Sequence, residues 1–224
     1  MERIAHRGAK REQPENSLPA FQRAFERGAD AVELDVHATR DGVVVVHHDP
    51  TIRPESGKAK LAIADMSWDE VRSIELAPGI GVPRLVDVLA MTPASKTVYV
   101  EIKGERIERA VMAVIGESHV PCAVHSFDHA AIARCREIAP DIPRGILFDK
   151  SAPDAMIRGL EAVGARDLWP RWDLIDATLV ARAHDAGARV IAWTVNTVAT
   201  AQALIDIGVD GLCTDDVRLL DDLG

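Results

Sequence analysis

Arg27-Gly28-Ala29-Asp30-Ala31-Val32-Glu33-Leu34-Asp35 is the stretch that decides the fold: a helix ends, a glycine turns the chain, and a short apolar strand follows. The arrangement recurs as Gly164-Ala165-Arg166 before Asp167-Leu168-Trp169, as Gly187-Ala188-Arg189 before Val190-Ile191-Ala192-Trp193, and as Gly208-Val209-Asp210 before Gly211-Leu212-Cys213. Glycine supplies the left-handed conformation that ends a helix, and the next residues turn the chain back into a sheet. The helices read from their caps and apolar spacing. Ser17 caps one whose Leu18, Phe21, Ala24 and Phe25 share a face; others span 128–139, stopped by Pro140, 176–186 and 198–207. Eight strands are expected, near residues 3–6, 31–35, 97–102, 121–126, 144–148, 166–169, 189–193 and 210–214. Eight βα units in an α/β chain of this length predict a (β/α)8 TIM-type barrel. An open doubly wound sheet uses the same units, but no Gly-rich phosphate loop follows the first strand.

The 224 residues suit one domain, 1–224, with no linker or low-complexity segment dividing it. With 47% hydrophobic and 27% charged residues the composition is that of a globular protein rather than a disordered one. The net charge of −9, without any Lys/Arg-rich run, argues against nucleic acid as a partner, because such binding needs a basic surface. An anionic small molecule stays compatible if local cations outweigh the global field. Three cysteines, Cys122, Cys135 and Cys213, form no metal-type spacing; Cys122 and Cys213 sit in apolar stretches and read as buried, reduced thiols. The first residues carry no signal-peptide core and no run approaches membrane-spanning length, so a cytoplasmic protein is expected. Oligomeric state stays open.

One stretch breaks the alternation. Residues 33–36 and 43–48 are separated by too few residues for a crossover helix, and Asp41-Gly42 is a strong two-residue hairpin signal. With that turn Arg40 pairs with Val43, Asp35 faces His48, and His47 pairs with Val36 and points to the other side. A β-hairpin would then protrude past the barrel rim and return His48 beside the acids. Residues 51–83 lie outside the repeating pattern and are expected to form a small segment capping the site.

Chemistry-bearing residues gather at strand ends. Glu33 and Asp35, two apart on one strand, project to the same face, with apolar Val32, Leu34 and Val36 on the other. Two acids aimed into a barrel lose hydration and repel each other unless a cation compensates. Glu101 adds a third carboxylate, and an all-oxygen set suits Mg²⁺ or Ca²⁺ rather than zinc. His6 ends the first strand beside Arg7, whose guanidinium can grip phosphate oxygens, and Gly8. His48 offers a second imidazole, so one histidine can accept a proton while the other donates one. Lys103 shares a face with Glu101 and suits a phosphate, while Trp193 at a strand end suits stacking on a polyol. Trp169 and Trp172 are weaker candidates of the same kind. His37, His47, His119, His129 and His184 read as surface or packing residues, and Ser126 as a cap for the next helix.

At these residues the chain resembles the glycerophosphodiester phosphodiesterase family in its short, cytosolic bacterial form. The similarity runs through His6-Arg7-Gly8, Pro14-Glu15-Asn16-Ser17, Glu33-Leu34-Asp35-Val36, His48-Asp49-Pro50, Glu101-Ile102-Lys103, Ser126-Phe127-Asp128, Trp193-Thr194-Val195-Asn196 and Gly208-Val209-Asp210-Gly211. It implies a TIM-type barrel in which Glu33, Asp35 and Glu101 hold Mg²⁺ or Ca²⁺. His6 and His48 would form the acid–base pair, and Arg7 and Lys103 would hold the phosphate. The expected reaction is hydrolysis of a glycerophosphodiester to glycerol 3-phosphate and an alcohol, with water or the glycerol 2-hydroxyl attacking. Three positions depart from the family pattern: Ser17 for threonine, Arg53-Pro54-Glu55-Ser56 for an arginine with paired threonines, and Asp216 for proline. The second departure touches head-group preference. A lysophospholipid or phosphoinositide substrate would favour an apolar rim or interfacial helix, neither of which is evident. A catalytically silent metabolite-binding module would lack a member of the set, and none is missing.

Overall fold

The computed structural model describes residues 1–53 and 60–222. Pro54-Glu55-Ser56, part of the second departure, lie outside the described residues. Eight parallel strands form in the expected places: β1 (Glu2–His6), β2 (Ala31–Ala38), β3 (Thr97–Ile102), β4 (Cys122–Ser126), β5 (Arg144–Phe148), β6 (Asp167–Pro170), β7 (Arg189–Ala192) and β8 (Gly211–Thr214). β1 pairs with β2, Ala5 opposite Val32, and with β8, Ile4 opposite Cys213, so the sheet closes into a barrel. Closure removes the open-sheet alternative.

Among the described residues, seven α-helices longer than one turn wrap the strands: α1 (Leu18–Glu26), α2 (Leu85–Met91), α3 (Glu108–Gly116), α4 (His129–Ile138), α5 (Pro153–Val163), α6 (Ala177–Asp185) and α7 (Val198–Asp206). After β8 the chain makes 3-10 turns (Val217–Asp222) in place of an eighth α-helix. Ser17, Asp128, Asp176 and Thr197 each accept a backbone N–H at a helix start, satisfying donors that lack intrahelical partners. The glycines that end the repeated units, Gly28, Gly164, Gly187 and Gly208, all take positive φ. On α1, Phe21 and Ala24 are fully buried, but Leu18 in the first turn is exposed rather than part of that face.

Strand alternation divides the barrel into two packing layers. Val32, Leu34, Val36, Val98, Val100 and Ile102 face outward against the helices, while Ile4, Ala31, Tyr99, Leu147, Trp169 and Ile191 fill the interior. Fully burying one such side chain contributes about 1.5–3 kcal/mol. The apolar interior is the floor on which the polar residues of the same strands stand.

The hairpin differs from expectation by one residue. Val36 pairs with Val46, His37 with Val45 and Ala38 with Val44, which puts His47 and not His48 opposite Asp35; the His47 N–H donates to the Asp35 carbonyl at 2.9 Å. The turn holds three residues, Arg40, Asp41 and Gly42, because the Thr39 N–H donates to the Val43 carbonyl. Gly42 takes φ +84°, the left-handed residue a three-residue hairpin needs. The Asp41 carboxylate accepts from the Thr39 hydroxyl at 2.6 Å and from the Trp68 N–H, which favours this wider turn.

The described part of 51–83 builds its own small core, in which Ile52, Ile63, Met66, Val71 and Val82 pack on Val45 of the hairpin. Its short strands pair as Thr51–Ile52 with Leu61–Ala62 and Glu75–Ala77 with Ile80–Gly81. Among the described residues no helix is long and apolar enough to cross a membrane.

Candidate active site

Register delivers the site. His6 stands beside Glu33 across β1 and β2, Asp35 beside Glu101 across β2 and β3, and Glu101 beside His125 across β3 and β4. Above the apolar floor these residues border a cavity of about 140 Å³. His6, Arg7, Glu33, His48, Glu101 and Lys103 supply its polar wall; Phe127, Leu147, Trp169 and Trp193 supply the apolar one. Seven of the eight residues singled out from sequence line this space, and Asp35, fully buried, stands next to it. Among the described residues of 51–83 none lines the cavity.

The buried acids fall into two settings. Asp35 accepts from the Asn16 amide at 2.8 Å and lies 3.2 Å from Arg7 Nε. Burial pushes its carboxyl up, but Arg7 and Asn16 outweigh this and hold it below the ordinary range. Glu33 and Glu101 lack equal compensation. Burial first, and the Asp35 charge second, push both up to about 7. Lys103 Nζ, 3.2 Å from Glu101 and 3.7 Å from Asp35, offsets only part of that. Arg7 and Asn16, which serve Asp35, both take left-handed backbone, φ +57° and +55°, an uncommon conformation for residues other than glycine.

Could these residues hold a cation? Among the described residues, Glu33, Glu101 and His125 bring one donor atom each within 4.8 Å of one another. Glu33 Oε1 and both ring nitrogens of His125 are buried without a hydrogen-bond partner. Unpaired buried polar atoms beside acids of raised pKa fit a divalent ion. The expected set was Glu33, Asp35 and Glu101; Asp35 gives Oδ2 to Arg7 and Asn16 and keeps a buried, unpartnered Oδ1, while His125 joins Glu33 and Glu101 in the group.

Both histidines named from sequence are tethered through Nδ1. His6 Nδ1 bonds Asp215 Oδ1 at 2.6 Å, leaving Nε2 toward the cavity, 3.8 Å from Glu33 Oε2. Asp215 also accepts from Asn196 Nδ2 at 2.9 Å and meets Lys10 at 3.2 Å. Burial raises its pKa, yet the His6 bond and these donors hold it well below the ordinary range. His48 Nδ1 bonds the Asp49 carboxylate at 2.8 Å. His48 reaches the cavity despite the shifted register because strand pairing stops at Val46 and the chain then bends. His47 bonds the Asp49 carbonyl instead, and His37 donates to the His48 carbonyl.

Sequence reading missed His125, Asp215 and the role of Asn16. A signal was available for two of them: Ala123, His125, Phe127 and Gly211, Cys213, Asp215 continue the inward alternation of their strands. Ser126 is not a cap; its hydroxyl donates to the Ile102 carbonyl and accepts from the Asp128 N–H, while Asp128 caps α4. Trp193 donates its indole N–H to the Trp169 carbonyl and meets Phe127 edge-on at 5.4 Å. Trp169 is core, whereas Trp172 is exposed. All three cysteines are free and buried.

A barrel with acids, imidazoles and two cations at one cavity has the groups that phosphoryl chemistry uses. The chain belongs to the glycerophosphoryl diester phosphodiesterase family, whose model matches residues 6–219. It is 30% identical over 235 residues to a glycerophosphodiester phosphodiesterase of Caldanaerobacter subterraneus, covering 97% of this chain and 95% of that one. The glycerophosphodiester phosphodiesterase structure of Thermotoga maritima superposes with a TM-score of 0.87 at 25% identity, covering 99% and 97% of the two chains. A phosphodiesterase of Oleispira antarctica, solved with its product sn-glycerol-3-phosphate, shares the fold with a TM-score of 0.90 at 23% identity, covering 100% and 96%.

Proposed function

We propose that this chain hydrolyses glycerophosphodiesters to glycerol 3-phosphate and an alcohol, using His6 and His48 as the acid–base pair and a divalent cation at the acids Glu33, Asp35 and Glu101. The observation that carries the reading is that two imidazoles, each tied through Nδ1 to a carboxylate, border one cavity with Arg7 and Lys103. Tethering at Nδ1 fixes the tautomer and leaves Nε2 as the working nitrogen. One imidazole takes a proton from the attacking oxygen and the other gives one to the departing alkoxide, each worth about 10²–10⁴ in rate. Arg7 and Lys103 bind phosphate oxygens, Arg7 through the guanidinium edge that Asp35 and Glu15 leave free and Lys103 as a point charge. When bound, the cation supplies further positive charge against the phosphoryl oxygens. Trp193 and Phe127 wall the glycerol. The reading is of a single domain, 1–224, with the described part of 51–83 packed on the hairpin beside the site, working in the cytoplasm on a small soluble diester without nucleic acid.

The test measures glycerol 3-phosphate released from glycerophosphocholine, glycerophosphoethanolamine and glycerophosphoglycerol, before and after EDTA. Release from at least one diester, lost in EDTA and restored by added cation, is expected. No release from any of them, or full release in EDTA, overturns the reading.

A further inference from the structure

His125 is one of the most enclosed polar side chains in the barrel, 1% exposed, yet among the described residues neither ring nitrogen has a hydrogen-bond partner. Leaving a buried polar group unsatisfied is costly, so a histidine kept in this state calls for a partner. Its ring packs among aromatics: Tyr99 lies parallel at 6.2 Å and Trp169 edge-on at 4.4 Å. Nε2 lies 3.6 Å from Glu33 Oε1, itself unpartnered, and His125 pairs in register with Glu101. Asp35, the other acid in reach, gives Oδ2 to Arg7 and Asn16, while among the described residues its Oδ1 has no hydrogen-bond partner and lies 3.7 Å from Lys103 Nζ.

We propose that His125 is a nitrogen ligand completing a Glu33–Glu101–His125 cation site, and that this site selects a first-row transition ion such as Mn²⁺, Co²⁺ or Zn²⁺. This replaces the Mg²⁺ or Ca²⁺ that an all-oxygen set would select. Imidazole nitrogen is a good donor to transition ions, whereas Mg²⁺ and Ca²⁺ are hard ions that take oxygen. Two carboxylates and one imidazole leave further coordination positions for water or phosphate oxygen. The proposal rests on the proposed function only in taking this cavity as the working site.

Binding is read without substrate. Chelator-stripped protein is titrated calorimetrically with Mn²⁺ and with Mg²⁺, for the wild type and for His125→Phe, which keeps a flat ring but no donor. The wild type should bind Mn²⁺ more tightly than Mg²⁺ by at least about tenfold, and His125→Phe should lose most of that preference. Equal affinities in the wild type, or an unchanged preference in His125→Phe, overturns the assignment of His125. Absence of binding for both ions overturns it together with the metal requirement, whereas loss of turnover alone bears only on the reaction. Pulsed electron paramagnetic resonance of the Mn²⁺-loaded wild type needs no variant: modulation from a directly bound nitrogen is expected, and its absence overturns the proposal.

Discussion

At the residue scale the site is a matter of which nitrogen and which oxygen are left free. Asp215 fixes His6 through Nδ1 at 2.6 Å and is itself clamped by Asn196 and Lys10. Asp215→Asn should therefore lower kcat by at least about tenfold while KM moves only a few-fold, as read by steady-state kinetics on glycerophosphocholine. A raised KM with unchanged kcat would make Asp215 a substrate contact instead. His48→Ala should lose about 10²–10⁴ of the rate, with His47→Ala within a few-fold of wild type; the reverse ranking would reassign the second histidine. The sequence made His6, Arg7, Glu33 and Glu101 legible because each sits where an apolar strand gives way to polar residues. His125 was legible only as an inward position of its strand, since one histidine inside an apolar strand looks like packing until its neighbours across the sheet are known. Asp215 was hidden for a similar reason: its partner lies 209 positions away.

At the element scale, strands and helices follow from local rules, whereas the hairpin shows where those rules stop. Asp-Gly suits both a two-residue turn and the end of a three-residue one, and only the Asp41 contacts to Thr39 and Trp68 separate them. Gly42 has open space around its missing side chain, so Gly42→Ala meets only the backbone penalty of left-handed φ. A loss of about 1–2 kcal/mol is expected by urea denaturation; an unchanged midpoint would contradict the three-residue turn. The end of β7 poses another question, whether Trp193 serves substrate or packing. Its indole N–H is held by Trp169 while its ring borders the cavity. Trp193→Ala should lower kcat/KM on glycerophosphodiesters more than it lowers Tm. Loss of folding with normal kinetics in the surviving fraction would make it a packing residue.

For the whole molecule, the barrel was legible because eight short apolar strands alternating with glycine-terminated helices leave few other arrangements. The charge state of its interior was not, because it depends on closure. Glu33 and Glu101 rise from 4.5 to about 7 in the folded chain, so the cation-free fold binds protons that the unfolded chain releases. Their contribution to stability is present below the unfolded value and is lost as pH rises through about 7. Chelated protein should melt lower at pH 8 than at pH 6, with added Mn²⁺ raising Tm more at pH 8. Equal cation effects at both values would contradict the two raised carboxyls. The most direct measurement of the central claim is phosphorus NMR of glycerophosphocholine turnover by the cation-loaded enzyme. The account predicts that the wild type replaces the diester signal with that of glycerol 3-phosphate, while His6→Ala and His48→Ala leave the diester intact. Phosphocholine as the product, or unchanged turnover in both variants, would contradict it.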